Sequence, residues 1–90
     1  MARWSAEFRP EAKIDFSKLD RSVRQRILEK LDWFLDNFDE LPPLILHREL
    51  GDFYKLRVGD WRLIYKINWE KRTLLIYAVD HRGRIYKGRR

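Results

Sequence analysis

Tyr54-Lys55-Leu56-Arg57-Val58-Gly59-Asp60-Trp61-Arg62-Leu63-Ile64-Tyr65 reads as two short strands folded back on one another by a two-residue turn. Glycine accepts the positive φ of the tight turns whose twist matches that of the flanking strands, so Gly59-Asp60 is the loop. That choice sets the register: Val58 faces Trp61, Arg57 faces Arg62, Leu56 faces Leu63 and Lys55 faces Ile64. Opposed residues share a face of the ladder, and faces alternate along each strand. One face then carries Tyr54, Leu56, Val58, Trp61, Leu63 and Tyr65, a coherent core, and the other carries Lys55, Arg57, Arg62 and Lys66. Two arginines set directly opposite each other cost roughly 0.2–1 kcal/mol. Such a conflict marks either an anion site, where phosphate oxygens match the guanidinium forks, or a wet sheet face charged against aggregation.

Around this hairpin the sequence predicts strands over 53–58 and 61–68, a turn over 68–72, and a third β run over 73–80. The last is apolar at nearly every position, which predicts a central strand covered on both faces. Upstream, Pro42-Pro43 stops any helix, and 39–52 reads as a long loop that Leu44, Leu46 and Leu50 pin to the core. Val23, Ile27, Leu31, Phe34, Leu35 and Phe38 recur every three or four residues, the stripe of an amphipathic helix. Its start is either a capping box of Ser22 with Gln25 or a cap at Asp20. The opposite, wet face holds Arg21, Gln25, Glu29, Asp32 and Asp36. Pro10 suits the first turn of a shorter helix to about residue 19, with Ala12, Phe16 and Leu19 on one stripe, and a tight turn over 19–22 makes a helical hairpin. Residues 4–8 alternate as a half-buried strand does. The expected fold is therefore a single α+β domain over 1–90: an N-terminal strand, a helical hairpin, then a mainly antiparallel sheet.

With 90 residues the chain supports one domain, and with no cysteine it has no disulfide, thiolate zinc site or thiol nucleophile. A reducing cytoplasm is the default setting for such a chain. The apolar runs 74–79 and 44–46 fall far short of the ~20 residues that span a bilayer, and Glu7 and Glu11 break up any signal-peptide pattern. Twenty Lys and Arg against 14 Asp and Glu leave a net charge of +6, which favours a polyanion, nucleic acid first and an acidic protein second. His47 and His81 are too far apart to suggest a metal site, and nothing calls for a cofactor. His81, beside Arg82, is either a general base or a structural residue at a strand end, whereas His47 is incidental. Trp69 falls in a turn, where an exposed indole could touch RNA or a partner.

The hairpin, followed by Val79-Asp80-His81-Arg82 and Ile85-Tyr86, resembles the RelE/ParE toxin superfamily. The likeness extends to the strand at 4–8, Pro10-Glu11-Ala12, Leu19-Asp20, Val23-Arg24 and Ile27, nearly the whole chain. It implies a RelE-like fold of about four twisted strands with the helical hairpin on one face. It also implies a toxin of a type II toxin–antitoxin system that cuts mRNA on the ribosome. By the same resemblance Arg62, Arg82, Tyr86 and Lys55 are catalytic. Arg57, Lys66, His81, Arg84 and Lys87 bind phosphate and RNA. The implied partners are the ribosome, mRNA and a cognate antitoxin with an acidic, partly apolar segment. The toxin alone is expected to be a cytoplasmic monomer, without a membrane, and to enter a higher-order complex with its antitoxin.

These residue types suit metal-free RNA cleavage by the RNA's own 2′-OH. Cations neutralise the crowded phosphate, a base takes the hydroxyl proton and an acid protonates the leaving oxygen. Lys55 serves as base if neighbouring cations lower its pKa. The superfamily also contains ParE-like proteins that inhibit DNA gyrase without nuclease activity, and a degenerate toxin that only binds its antitoxin is a third alternative. Register offers a test: Arg62 and Arg82 share a face if Ile67 lies opposite Thr73, and a one-residue shift separates them unless a bulge re-aims Arg82.

Overall fold

The computed structural model describes residues 3–41, 44–45 and 51–81. In chain order these form β1 (Ser5–Phe8), α1 (Pro10–Ser17), α2 (Arg21–Asp36), a 3-10 turn (Phe38–Glu40), β2 (Leu44–Ile45), β3 (Tyr54–Val58), β4 (Trp61–Asn68) and β5 (Thr73–His81). The sheet order is β1-β5-β4-β3-β2. β1 runs parallel to β5, and the other pairs are antiparallel. The α+β class and its four principal strands are as expected. The two-residue β2 lies within the stretch read as loop, on the outer edge of β3.

The hairpin register is the one that Gly59-Asp60 dictates, with Val58 opposite Trp61 and Arg57 opposite Arg62. Gly59 has φ +60 and Asp60 does not have positive φ, the pattern of a turn with its glycine first. A Cβ at Gly59 would also come within 2.8 Å of the Arg26 guanidinium. The core face is the expected one: Leu56, Val58, Leu63 and Tyr65 pack with Leu74, Ile76 and Val79 of β5 and with Ile27, Leu31, Phe34 and Leu35 of α2.

Helix boundaries differ at the hairpin corner. α1 stops at Ser17, and α2 begins at Arg21, which makes Asp20 the N-cap residue and leaves Ser22 inside the first turn. The Ser22–Gln25 capping box does not form, and the Asp20 side chain makes no cap bond either. Pro10 opens α1, where its missing N–H is no loss. β5 is central but is covered unequally. Leu74, Ile76 and Val79 are buried beneath the helices, whereas Leu75 and Tyr77 on the other side are half-buried.

Beyond β1, α1 takes over the β5 edge, and the Asp15 carboxylate accepts the Val79 backbone N–H at 3.3 Å. At the opposite end Asp39 ties three elements together. It accepts the indole N–H of buried Trp4 at 2.8 Å and pairs with Arg72 of the β4–β5 turn at 2.7 Å. The Trp4 hydrogen bond, then the Arg72 contact, holds the Asp39 carboxyl below the usual carboxylate range. No helix among the described residues is long and apolar enough to cross a membrane.

Between β4 and β5 the register changes. Asn68, not Ile67, lies opposite Thr73, the shifted pairing that would have separated the two arginines. A bulge then inserts Tyr77 between the Tyr65–Ile76 and Ile64–Ala78 pairs. One added residue restores the parity, so Asp80 stands opposite Arg62.

Candidate nucleic-acid interface

Register places two rows side by side on the sheet face turned away from the helices. One row is Lys55–Ile64–Ala78, and the next is Arg57–Arg62–Asp80. At ~3.3 Å per residue, rows two residues apart along a strand are separated by ~6.6 Å. Arg57 is exposed. Arg62 is not: it is 6% exposed, and one guanidinium nitrogen donates to the backbone carbonyls of Gly59 at 2.9 Å and Trp61 at 2.8 Å. The opposed arginines thus avoid each other without a ligand, because Arg62 turns onto the carbonyls of its own hairpin loop. Its Nε–H remains buried and finds no hydrogen-bond acceptor. A buried donor in that condition is rare and calls for a reason.

Lys66 shares this face two rows from Arg62, where Nζ lies 3.7 Å from an Asp52 carboxylate oxygen and 4.7 Å from the centre of the Phe53 ring. His81 does not join the cluster. It pairs with Trp61 on the helix side of the sheet and meets that indole edge-on, with ring centres 5.5 Å apart. Its backbone N–H reaches the Asp80 carboxylate at 2.8 Å. Trp69 is 62% exposed and stands edge-on to Trp4 at 5.5 Å. Arg82, Arg84, Tyr86 and Lys87, and the loop residues Leu46, His47 and Leu50, lie outside the described residues. Of the nine expected site residues, the described part of the structure therefore brings together Lys55, Arg57, Arg62 and Lys66.

Sequence reasoning missed a cavity of about 380 Å³ on the same face, between the Lys55 row and α1. Ile64 and Ala78 are buried beneath Phe53, and Tyr77 meets Phe53 edge-on with ring centres 5.2 Å apart. Arg9, Glu11 and Asp15 complete the lining. One signal was present: Ile64, opposite Lys55, was an apolar residue on a face otherwise read as charged. The bulge that brings Tyr77 to this cavity leaves no such trace in the residue pattern.

The chain matches over residues 6–86 the family described as the ParE toxin of the type II toxin–antitoxin system parDE. A putative RelE-like toxin protein of Escherichia coli is 33% identical over 84 residues, covering 91% of this chain and 86% of that protein. Toxin RelG of Mycobacterium tuberculosis is 31% identical over 84 residues, covering 93% and 97%. The toxin–antitoxin complex RelBE2 of M. tuberculosis contains a chain that superposes with a TM-score of 0.78 at 30% identity, covering 90% of this chain and all of that one. The isolated E. coli RelE toxin, 23% identical, shares the fold with a TM-score of 0.71 over 97% of this chain and 94% of its own.

Proposed function

The chain belongs to the RelE/ParE family and is a toxin of a type II toxin–antitoxin system; we propose that it cleaves messenger RNA on the ribosome. The supporting observation is the sheet face on which exposed Arg57 stands opposite Arg62, with Lys55 in the adjacent row. Arg57 binds the phosphate, for which its planar fork is suited. The buried Arg62 Nε–H, which lacks an acceptor, gains one in a phosphate oxygen. Arg82 and Tyr86, carried over from the family resemblance, complete the catalytic set, with Arg84 and Lys87 adding positive charge for the RNA backbone.

In the reaction the 2′-oxygen attacks the adjacent phosphorus as Lys55 takes the hydroxyl proton. The P–O5′ bond breaks, and the leaving oxygen takes up a proton from water. The products are a 2′,3′-cyclic phosphate and a 5′-hydroxyl. Arginine keeps its proton under these conditions, so Arg57 and Arg62 act by charge and hydrogen bonding alone. The proposed inhibitor is an antitoxin whose acidic, partly apolar segment covers this basic face, and solved relatives of the fold were captured with RelB-type antitoxins.

A second reading, a gyrase inhibitor of the same fold, draws on one observation: the Arg62 guanidinium already serves its own turn. Mapping mRNA ends on ribosomes after induction separates the two. Wild type is expected to leave codon-phased ends, and Arg57→Ala, Arg62→Ala and Arg82→Ala to lose them together with toxicity. Toxicity that persists in all three variants without phased ends contradicts the nuclease reading.

A further inference from the structure

We propose that the cavity bordered by the touching rings of Phe53 and Tyr77 is a nucleobase subsite that prefers guanine and sets which residue of the RNA lies beside the cleaved phosphate. The inference rests on the RNA-cleaving reading above. Its floor is Ile64 and Ala78, and Ile64 lies directly beside Lys55 in the row next to Arg57 and Arg62. The cavity floor thus begins one row, ~6.6 Å along the strands, from the row of Arg57. A phosphate on Arg57 therefore presents the adjoining base to the cavity.

Size, walls and charge agree on the occupant. A volume of about 380 Å³ suits a single base with its sugar, at the small end of ligand pockets. Phe53 and Tyr77, in edge-to-face contact, supply an aromatic wall for stacking. Besides Phe53, the ring of Tyr77 is met by exposed or half-exposed cations, with the Arg9 guanidinium 5.4 Å and Lys66 Nζ 5.6 Å from its centre. Both stems are long enough to turn toward an RNA backbone when a base takes their place. At the α1 side, Glu11 and Asp15 line the opening. Asp15 uses one carboxylate oxygen on Val79 N–H, which fixes its orientation toward the cavity. Carboxylates accept hydrogen bonds and cannot donate them, so they select a base edge rich in N–H groups. Guanine offers two adjacent N–H donors on one edge, the pairing that a carboxylate accepts most fully. The same carboxylates repel an acidic peptide, which disfavours an antitoxin segment here.

The bulge gives this site its shape. Without Tyr77 as an extra residue, successive β5 side chains would alternate, and Tyr77 and Ala78 could not line one cavity.

The test is equilibrium binding of the full chain to four 2′-O-methyl trinucleotides that resist cleavage and differ only in the central base. The guanine oligonucleotide is expected to bind most tightly. Tyr77→Ala should weaken it by about tenfold, as loss of a stacking partner does, whereas Tyr77→Phe should bind as wild type. Glu11→Gln combined with Asp15→Asn should erase the preference and leave the mean affinity. Arg57→Ala should weaken all four alike. Equal binding of the four bases by wild type, or unchanged affinity in Tyr77→Ala, would overturn the subsite. In that case a retained Arg57 effect would leave the phosphate reading standing. Antitoxin binding lost in Tyr77→Ala with base preference intact would assign the cavity to a protein partner and also overturn it. No binding by any oligonucleotide overturns the subsite and weakens the RNA reading with it.

Discussion

At the scale of single residues, Arg57 and Arg62 have the same chemistry and opposite environments. Arg57 stands in solvent, and truncating it should change stability by less than about 0.5 kcal/mol. Arg62 donates two hydrogen bonds to loop carbonyls from a buried position. Arg62→Ala should therefore cost about 2 kcal/mol, at roughly 1 kcal/mol per hydrogen bond, a difference that urea denaturation of the two variants resolves. Tyr65 presents the reverse case. Its ring packs against Phe34 and Tyr54, its hydroxyl is buried with no hydrogen-bond partner, and burial pushes its phenol well above the ordinary tyrosine range. Tyr65→Phe removes that unsatisfied hydroxyl without opening a cavity. The same denaturation measurement should find the variant equal to wild type or more stable by up to about 1 kcal/mol.

At the scale of elements, the β3–β4 hairpin was legible because one glycine with one required backbone sign sets every pairing that follows. Gly59→Ala forces an ordinary residue to a φ of +60 and should destabilise the fold by roughly 1–2 kcal/mol. The Arg26 side chain that the new Cβ meets can move aside. The helical stripe of α2 was equally plain, since Ile27, Leu31, Phe34 and Leu35 repeat with the helix and all are buried. The β4–β5 register was not readable. A bulge depends on how two whole strands settle against their neighbours, and Tyr77 sits in a run of apolar residues with no glycine or proline to mark it. For the same reason the aromatic cavity was hidden. His81 is a different case: it neighbours Arg82 in sequence, but alternation along β5 alone turns it to the other side of the sheet.

Asp39 adds a prediction about pH at this scale. Its folded pKa is lowered, so its contribution to stability is complete above the unfolded value, about 3.9, and fades as pH falls below it. Asp39→Asn should flatten the pH dependence of stability between pH 5 and pH 3, as followed by urea midpoints.

At the scale of the molecule, the charge of +6 is divided by the sheet. The helix-facing side is apolar. The other side carries Lys55, Arg57, Arg62 and Lys66 beside a small aromatic cavity. Fold and family follow from the first side, and the chemistry proposed here depends on the second. A phosphate-binding face also makes association salt-dependent, and Arg57→Ala should reduce the slope of log affinity against log salt by about 0.7 on single-stranded RNA.

The most direct measurement of RNA cleavage by the Arg57–Arg62 face uses purified protein, ribosomes programmed with a defined mRNA, and analysis of the new ends. The account predicts cuts in ribosome-bound mRNA that leave a 2′,3′-cyclic phosphate and a 5′-hydroxyl. These cuts should be absent with Arg57→Ala and intact with Trp33→Ala on the outer surface of α2. Uncut mRNA under those conditions, with DNA gyrase supercoiling inhibited by the same preparation, would contradict it.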